Sequence, residues 1–189
     1  MSERWRCFVA VSIGDSLRLA LAEAVEGWKG ASDLEGLRWT DPASWHLTLA
    51  FLGPTDPARV ASIVAVMEKV ASAHGPMHVR TRGLGVFPAP GRARVLWYGV
   101  EDPAGELGAL ARDLQSKLAV EVAGPYRPHL TLARVRREPV NLASWLADAS
   151  APEGGLVVDR LDLMRSHLVG GPARYQAIGT ALLGAAAHV

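Results

Sequence analysis

The 189-residue chain is poor in cysteine and lysine, with one Cys and three Lys. A single cysteine excludes a disulfide within the chain, and the position of Cys7 in an apolar run predicts a buried thiol. No apolar run reaches the length of a transmembrane helix, and the first residues lack the layout of a signal peptide. We therefore expect a soluble cytoplasmic protein.

The chain also has little excess charge of either sign. Twenty basic and nineteen acidic residues give a net charge of +1, so the chain as a whole is not a polycation. Seventeen of the basic residues are Arg, which pairs well with phosphate, although codon usage explains such a bias equally well. Hydrophobic residues make up 49% of the chain, which is typical of a globular protein with one sizeable core or two small lobes.

A five-residue phrase, His-Leu-Thr-Leu-Ala, occurs at residues 46–50 and again, 83 residues later, at 129–133. Successive side chains of a strand point to opposite faces, so His and Thr share one face and the two leucines share the other. Each copy therefore predicts a strand with a buried aliphatic face and a polar face. Two such strands side by side would bring two imidazoles and two hydroxyls to one point.

The surroundings of the two phrases are similar. Apolar periodicity predicts helices that begin after Asp15, Asp56, Asp102 and Asn141. It predicts strands over residues 4–13, 37–40, 45–52, 77–84, 94–100, 128–135, 156–166 and 174–182. A helix precedes each phrase and another follows it, which suggests an internal duplication. Since no linker separates the halves, we expect one α+β domain over residues 1–189, made of two pseudo-symmetric lobes.

The polar face of each phrase indicates acid–base chemistry. A lone His on a strand is usually structural, but both copies keep His and Thr in the same register. A metal site has weaker support, because no Asp, Glu or Cys lies at ligand spacing in either phrase. Neither phrase resembles the turn of a serine nucleophile. Two imidazoles suit general acid and base roles near neutral pH, and hydroxyls suit phosphate oxygens, so hydrolysis of a phosphodiester without a metal fits best.

The sequence resembles the 2H phosphoesterases, and within them the bacterial and archaeal RNA 2′,3′-cyclic phosphodiesterases, also called LigT-like or 2′-5′ RNA ligase proteins. The resemblance covers nearly the whole chain. Four stretches carry it: Arg6–Ala10, Trp45–Gly53, Arg127–Arg134 and Leu163–Leu168 with Gly171 and Tyr175.

The resemblance implies a bilobal α+β fold in which two antiparallel sheets line a cleft and helices lie outside. It implies opening of RNA 2′,3′-cyclic phosphate ends to 2′-phosphomonoesters, with no metal or other cofactor. His46 would be the proton donor and His129 the proton acceptor. Thr48 and Thr131 would bind the phosphate.

Four further residues are candidates for substrate contact. Arg134 follows the second phrase, but on a regular strand it faces away from His129 and Thr131, so phosphate contact and a solvated surface role are both open. Phe87 and Tyr126 are candidates for stacking on a base, with a core role as the alternative for Tyr126. Arg127 is a further candidate RNA contact. The expected partner is an RNA end, bound by a monomer away from membranes.

Three other functions remain as alternatives. Ligation of RNA ends through a 2′-5′ bond and turnover of small cyclic nucleotides would use the same site. A nucleotide- or RNA-binding module without turnover is the third, but binding alone does not require His and Thr in both phrases.

Overall fold

A computed structural model describes residues 3–122, 124–167 and 173–184, which contain four α-helices and nine β-strands. The helices are α1 (Asp15–Trp28), α2 (Val60–Ala71), α3 (Glu106–Lys117) and α4 (Ala143–Asp148). The strands are β1 (Trp5–Ser12), β2 (Leu37–Trp39), β3 (His46–Thr55), β4 (Met77–Phe87), β5 (Val95–Glu101), β6 (His129–Val135), β7 (Gly154–Val158), β8 (Arg160–His167) and β9 (Arg174–Leu182). The predicted α+β class is confirmed.

The helices form where apolar residues recur at helical spacing. Helix α1, for example, buries Leu17, Leu21 and Val25, which are four residues apart and share one face. Asp102 is predicted to start the third helix, and its carboxylate accepts hydrogen bonds from two backbone N–H groups in the first turn of α3, although the N-cap is Gly105. The same prediction for Asp15 is wrong, because Gly14 is the N-cap of α1 and Asp15 is already helical.

All nine strands pair antiparallel in one sheet, in the order β7-β4-β5-β6-β3-β1-β8-β9, with β2 beside β6. The resemblance implies two sheets, whereas the structure has one sheet with two halves, five strands including β2 on the β6 side and four on the β3 side, joined between β3 and β6. The only pair that joins them in the described residues is Leu47 with Leu130. The two motif strands therefore meet in the middle of the sheet.

The predicted strand over 156–166 is in fact two strands, β7 and β8, separated by Asp159. They lie in opposite halves of the sheet, β7 beside β4 and β8 beside β1. Because one residue spans only a few ångströms, the sheet must curl until its two halves approach each other. The first motif strand is also longer than predicted: β3 continues through Gly53, in the left-handed region at φ 66°, and pairs with β1 as far as Thr55.

The halves of the sheet do not correspond to the halves of the chain. Helix α1 packs near β7, whereas α2 lies on β8 and β9, and α3 lies against β3 and α2. The half that contains His46 is completed by β8 and β9, from the C-terminal part of the chain. Each motif strand is therefore supported by residues distant in sequence.

Candidate active site

The two motif strands have the same pattern of burial. Over residues 46–52 and 129–135, half-buried and buried side chains alternate until two successive residues are buried. Those pairs are Leu49–Ala50 in β3 and Leu132–Ala133 in β6. A regular strand turns successive side chains to opposite faces, so the break in alternation indicates an extra residue in each strand.

A β-bulge lies at the equivalent position of each strand. Strand β1 skips Leu49 in its pairing with β3, and β5 skips Leu132 in its pairing with β6. One extra residue shifts the alternation, so the next outward-facing side chain returns to the face of the motif His and Thr. These side chains are Phe51 in β3 and Arg134 in β6, and they are 83 residues apart, like the histidines.

Arg134 therefore faces the cleft. A regular strand would turn Arg134 away from His129 and Thr131, and phosphate contact therefore requires a bulge, which the structure has at Leu132. Of the two alternatives left open for this residue, the structure favours a position beside the motif residues. In the described part of the chain, Arg134 pairs with no carboxylate, so its guanidinium is available to an anion.

A cavity of about 470 Å³ lies over the junction of β3 and β6 and contains both His–Thr pairs. The strands are antiparallel and Leu47 pairs with Leu130, which places His46 level with Thr131 and Thr48 level with His129. The other lining residues are Arg6, Phe8, Thr40, Ser44, Phe51, Arg134, Ser166, Ala173 and Tyr175. The predicted acid–base and phosphate-binding residues are thus brought together in one cavity.

Both histidines are held in the same way by the backbone. His46 Nδ1 lies 2.7 Å from the carbonyl oxygen of Ser44, and His129 Nδ1 lies 2.7 Å from that of Arg127. A carbonyl oxygen only accepts, so Nδ1 carries the proton and donates it in each ring. The neutral form of each ring then has its lone pair on Nε2, the nitrogen available for proton transfer with a ligand.

Burial is the main reason that the pKa of His46 and the pKa of His129 both lie below the ordinary value of 6.5. The positive charge of Arg134 lowers both pKa values further, and repulsion from His129 adds to the effect on His46. The backbone carbonyls act in the opposite direction, because they accept from the protonated ring. The surroundings of the two rings therefore favour neutral imidazoles, and two charged rings together are disfavoured.

Aromatic rings surround each histidine. The rings of Phe8 and His46 stack with centroids 4.7 Å apart, and Tyr175 meets His46 edge-on at 4.9 Å. On the other side, Phe87 meets His129 edge-on at 5.0 Å, with Trp97 at 6.1 Å. These contacts restrict rotation of the imidazoles and account for much of their burial.

The other predicted contact residues line a neighbouring groove of about 670 Å³ that shares Thr48 and His129 with the cavity. Phe87, Tyr126 and Arg127 all lie in this groove. Tyr126 also has a structural role, since its hydroxyl donates to the carbonyl oxygen of Thr48 at 3.0 Å. Burial raises the pKa of the Tyr126 hydroxyl, which keeps it protonated as a donor.

Sequence reasoning missed several cavity residues. Arg6 and Phe8 lie two residues apart in β1, and both face the cavity. The alternation of side chains along a strand was enough to predict that these two share a face. The Arg6 guanidinium lies 5.7 Å from the centre of the Phe51 ring. Thr40 and Tyr175 come from β2's end and from β9, and no local pattern connects them to the motifs. Only the pairing of distant strands brings these two residues to the site.

Two further observations concern the described residues. They contain no group of three or more His, Cys, Asp or Glu side chains arranged to hold a metal ion. None of the helices is long and apolar enough to cross a membrane.

Comparison with known proteins identifies the family of this chain. The profile of the 2′-5′ RNA ligase superfamily matches residues 17–170. An RNA 2′,3′-cyclic phosphodiesterase of Archaeoglobus fulgidus is 32% identical over 153 residues, which cover 79% of this chain and 84% of the relative. An RNA 2′,3′-cyclic phosphodiesterase of Methanothermobacter thermautotrophicus is 31% identical over 169 residues, which cover 86% and 90% of the two chains.

Solved structures share the fold. A protein of Thermus thermophilus superposes with a TM-score of 0.74 at 25% identity, covering 95% of this chain and 98% of the other. Escherichia coli LigT complexed with 3′-AMP superposes with a TM-score of 0.77 at 22% identity, covering 96% and 99%. The fold and the paired His–Thr motifs are those of the 2H phosphoesterase class. The chain belongs to the 2′-5′ RNA ligase superfamily, and the resemblance and the enzyme class expected from the motifs are confirmed.

Proposed function

We propose that this protein hydrolyses the 2′,3′-cyclic phosphate at RNA ends to a 2′-phosphomonoester by two-histidine acid–base catalysis without a metal. The observation that carries this proposal is the meeting of two matched His–Thr pairs in one cavity. Each imidazole has Nδ1 bound to backbone, and its Nε2 makes no hydrogen bond to any residue that the structure describes. The names of the relatives support the choice of substrate.

The reaction needs one base and one acid. His129 Nε2 takes a proton from water as the water oxygen attacks phosphorus. The bond from phosphorus to the 3′ oxygen breaks, and protonated His46 gives its Nε2 proton to that oxygen. The product has a 2′-phosphate and a 3′-hydroxyl, and His46 and His129 have exchanged protonation states. This direction rests on the family resemblance, since the backbone treats the two histidines alike.

The substrate itself supplies the charge that the acid requires. Burial and the charge of Arg134 lower the pKa of both imidazoles and so favour their neutral forms. An anionic cyclic phosphate bound beside Arg134 offsets that positive charge and favours protonation of one ring. Repulsion between the rings then keeps the other neutral, so one acid and one base are present together.

The remaining cavity residues would bind the phosphate. The hydroxyls of Thr48 and Thr131 can each donate to a phosphoryl oxygen, and a guanidinium forms stronger, charge-assisted hydrogen bonds. Arg134 is turned toward both threonines by its bulge. These three groups would stabilise the negative charge that develops on phosphorus oxygens in the transition state. Phe87, Tyr126 and Arg127 would contact the RNA in the neighbouring groove.

The decisive test is incubation of EDTA-treated protein with a short RNA that ends in a 2′,3′-cyclic phosphate. We expect a 2′-phosphomonoester, identified by phosphorus NMR, and no dependence on added metal. The His46→Ala/His129→Ala double variant, purified in parallel, controls for contaminating nucleases. Formation of a 3′-phosphate would reverse the roles of the histidines, and activity that disappears with EDTA would contradict the mechanism.

Ligation through a 2′-5′ bond is the second candidate, because it uses the same geometry. A 5′-hydroxyl of another RNA would replace water as the nucleophile, and His129 would take its proton instead. Adding an RNA with a 5′-hydroxyl to the same assay measures the ratio of ligation to hydrolysis. A small 2′,3′-cyclic nucleotide tested beside the RNA shows whether the groove contributes to binding. A cytoplasmic location and a monomeric state stay predictions.

A further inference from the structure

The bulge in β6 is held by a residue that lies 91 positions earlier in the chain. Thr40 Oγ1 is 2.9 Å from the carbonyl oxygen of Thr131 and 2.8 Å from that of Leu132. The backbone N–H of Thr40 also donates to the Leu132 oxygen, at 2.8 Å. A bulged residue is left out of the regular ladder, so its carbonyl needs a partner from elsewhere. Thr40 provides that partner.

Trp45 directs the hydroxyl of Thr40. The indole Nε1–H of Trp45 donates to Thr40 Oγ1 at 2.8 Å, and the Trp45 side chain is only 3% exposed. A hydroxyl has one proton and two lone pairs. Since the indole occupies a lone pair, the single proton of Thr40 is left to donate to the bulge carbonyls. Trp45 and Thr40 thus form a chain of hydrogen bonds, here called the relay, that ends at the carbonyls of the bulge.

The bulge decides where Arg134 points. With Leu132 skipped by β5, the guanidinium reaches the face of His129 and Thr131. Without the extra residue, period-two alternation would return Arg134 to the opposite face. The conformation of the backbone at the bulge therefore decides whether the Arg134 guanidinium, the only arginine side chain of β6, reaches the cavity.

We propose that Thr40 is a positioning residue, which fixes the β6 bulge through its hydroxyl and so aims Arg134 at the bound phosphate. The effect of Thr40 on catalysis rests on the function proposed above, whereas the effect of Thr40 on the position of Arg134 does not. Thr40 itself need not touch the reacting atoms.

The bulge in β3 offers a matched control. There Gln115 Nε2 donates to the carbonyl oxygen of Leu49 at 2.7 Å, and the residue that this bulge turns into the cavity is Phe51. Gln115→Met removes this hydrogen bond while keeping the length of the side chain. Such a variant loosens a bulge whose own cavity residue is uncharged. The cation next to that residue, Arg6, is not among the charges that lower the pKa of His46 or of His129, so the histidine pKa values separate general loosening of the site from displacement of Arg134.

The test compares Thr40→Val, Thr40→Ser, Arg134→Met and Gln115→Met in the free protein. NMR titration gives the pKa of His46 and of His129, both of which the charge of Arg134 lowers. We expect Thr40→Val to raise both pKa values, as Arg134→Met does, and to weaken binding of inorganic phosphate about tenfold, the loss expected for one charge-assisted hydrogen bond. Thr40→Ser should restore both properties, and Gln115→Met should leave them unchanged.

A double variant sharpens the result. If Thr40 acts through Arg134, Thr40→Val should cost nothing further in phosphate affinity once Arg134 is Met. Unchanged histidine pKa values in Thr40→Val, with shifted values in Arg134→Met, would overturn the proposal. Equal shifts in Gln115→Met would also overturn it, since they would indicate general loosening.

These measurements need no turnover, so failure of the proposed function and failure of this inference are distinguishable. Wild-type protein that leaves cyclic phosphate intact would contradict only the function. Should Thr40→Val not fold, Trp45→Phe keeps Thr40 and removes the donor that orients it. We expect smaller shifts of the same sign in Trp45→Phe, and no shift in that variant would contradict the relay.

Discussion

The half of the cleft around His46 and the half around His129 share one backbone plan. Each motif strand pairs its histidine Nδ1 with the carbonyl two residues before it, at 2.7 Å in both cases. Each has a bulge one residue after the threonine, at Leu49 or Leu132. Two proton-transfer groups of matching geometry follow from this shared plan.

The halves differ in the side chain that each bulge turns into the cavity. In β3 it is Phe51, an apolar ring that is 52% exposed, and in β6 it is the charged Arg134. The residues that hold the bulges differ as well, with Gln115 on one side and Thr40 on the other. The two bulges therefore turn an apolar ring into the cavity from one half and a charge from the other.

This difference explains how a nearly symmetric site can bind an asymmetric substrate. Matched histidines alone would accept a cyclic phosphate in either of two orientations. At the two bulge positions, the Arg134 guanidinium attracts the phosphate charge and the exposed Phe51 ring suits the ribose or base, with Arg6 lying over that ring. We expect the substrate to bind in one orientation for this reason.

The largest effects should come from the histidines. His46→Ala and His129→Ala should each reduce turnover about 10²- to 10⁴-fold, the usual contribution of a general acid or base. A substrate with a better 3′ leaving group should rescue His46→Ala more than His129→Ala, because only the acid becomes dispensable. Steady-state kinetics with both substrates measure this. Equal rescue would contradict the assigned direction, and full activity in either variant would remove the two-histidine mechanism.

Exchange of the charged side chain comes next. Arg134→Met should lower kcat/KM about 10- to 100-fold, since it removes charge-assisted hydrogen bonds to the phosphate. Phe51→Leu, the equivalent change in the other half, keeps an apolar surface and should cost much less. A comparison of kcat/KM for the two variants and the wild type is sufficient. Similar losses in both would show that Arg134 does not distinguish the halves.

The threonines should have a smaller effect, equal in the two halves. Thr48→Val and Thr131→Val should each reduce kcat about tenfold by removing one hydroxyl donor to a phosphoryl oxygen. Hydrolysis should have a bell-shaped pH dependence, because one imidazole must be protonated and the other neutral. Neither variant should change that shape, because hydroxyls do not titrate in this range. The pH profiles of kcat for both variants test this. A shifted optimum would mean instead that the threonine tunes its neighbouring histidine.

The smallest effect concerns stability. In the folded protein the pKa of His46 and of His129 lies below the unfolded value of 6.5, so the unfolded chain binds protons first as pH falls. The contribution of the two histidines to the free energy of unfolding is therefore fully present above pH 6.5 and is lost as pH falls through their pKa in the folded protein. Urea unfolding at several pH values should show this loss, reduced in the His46→Gln/His129→Gln double variant. An unchanged pH dependence in that variant would place its origin in other groups.

Much of the secondary structure was predictable because it depends on local periodicity. Helix α1 needed only Leu17, Leu21 and Val25 at intervals of four, and β9 has the predicted bounds 174–182. The pairing of His and Thr on one face followed from the period of two in a strand. The division at Asp159 was missed because no Gly or Pro lies between β7 and β8, and only their different partners in the sheet separate the two strands.

Taken alone, the sequence determined which residues face together within each motif, since a two-residue period needs no information from the rest of the chain. Tertiary structure decided which distant residues join them. Arg134 reaches the cavity because β5 skips Leu132 and because Thr40 satisfies the carbonyl that the bulge leaves open. A bulge is a mismatch between two paired strands, and therefore no single segment of the sequence specifies it.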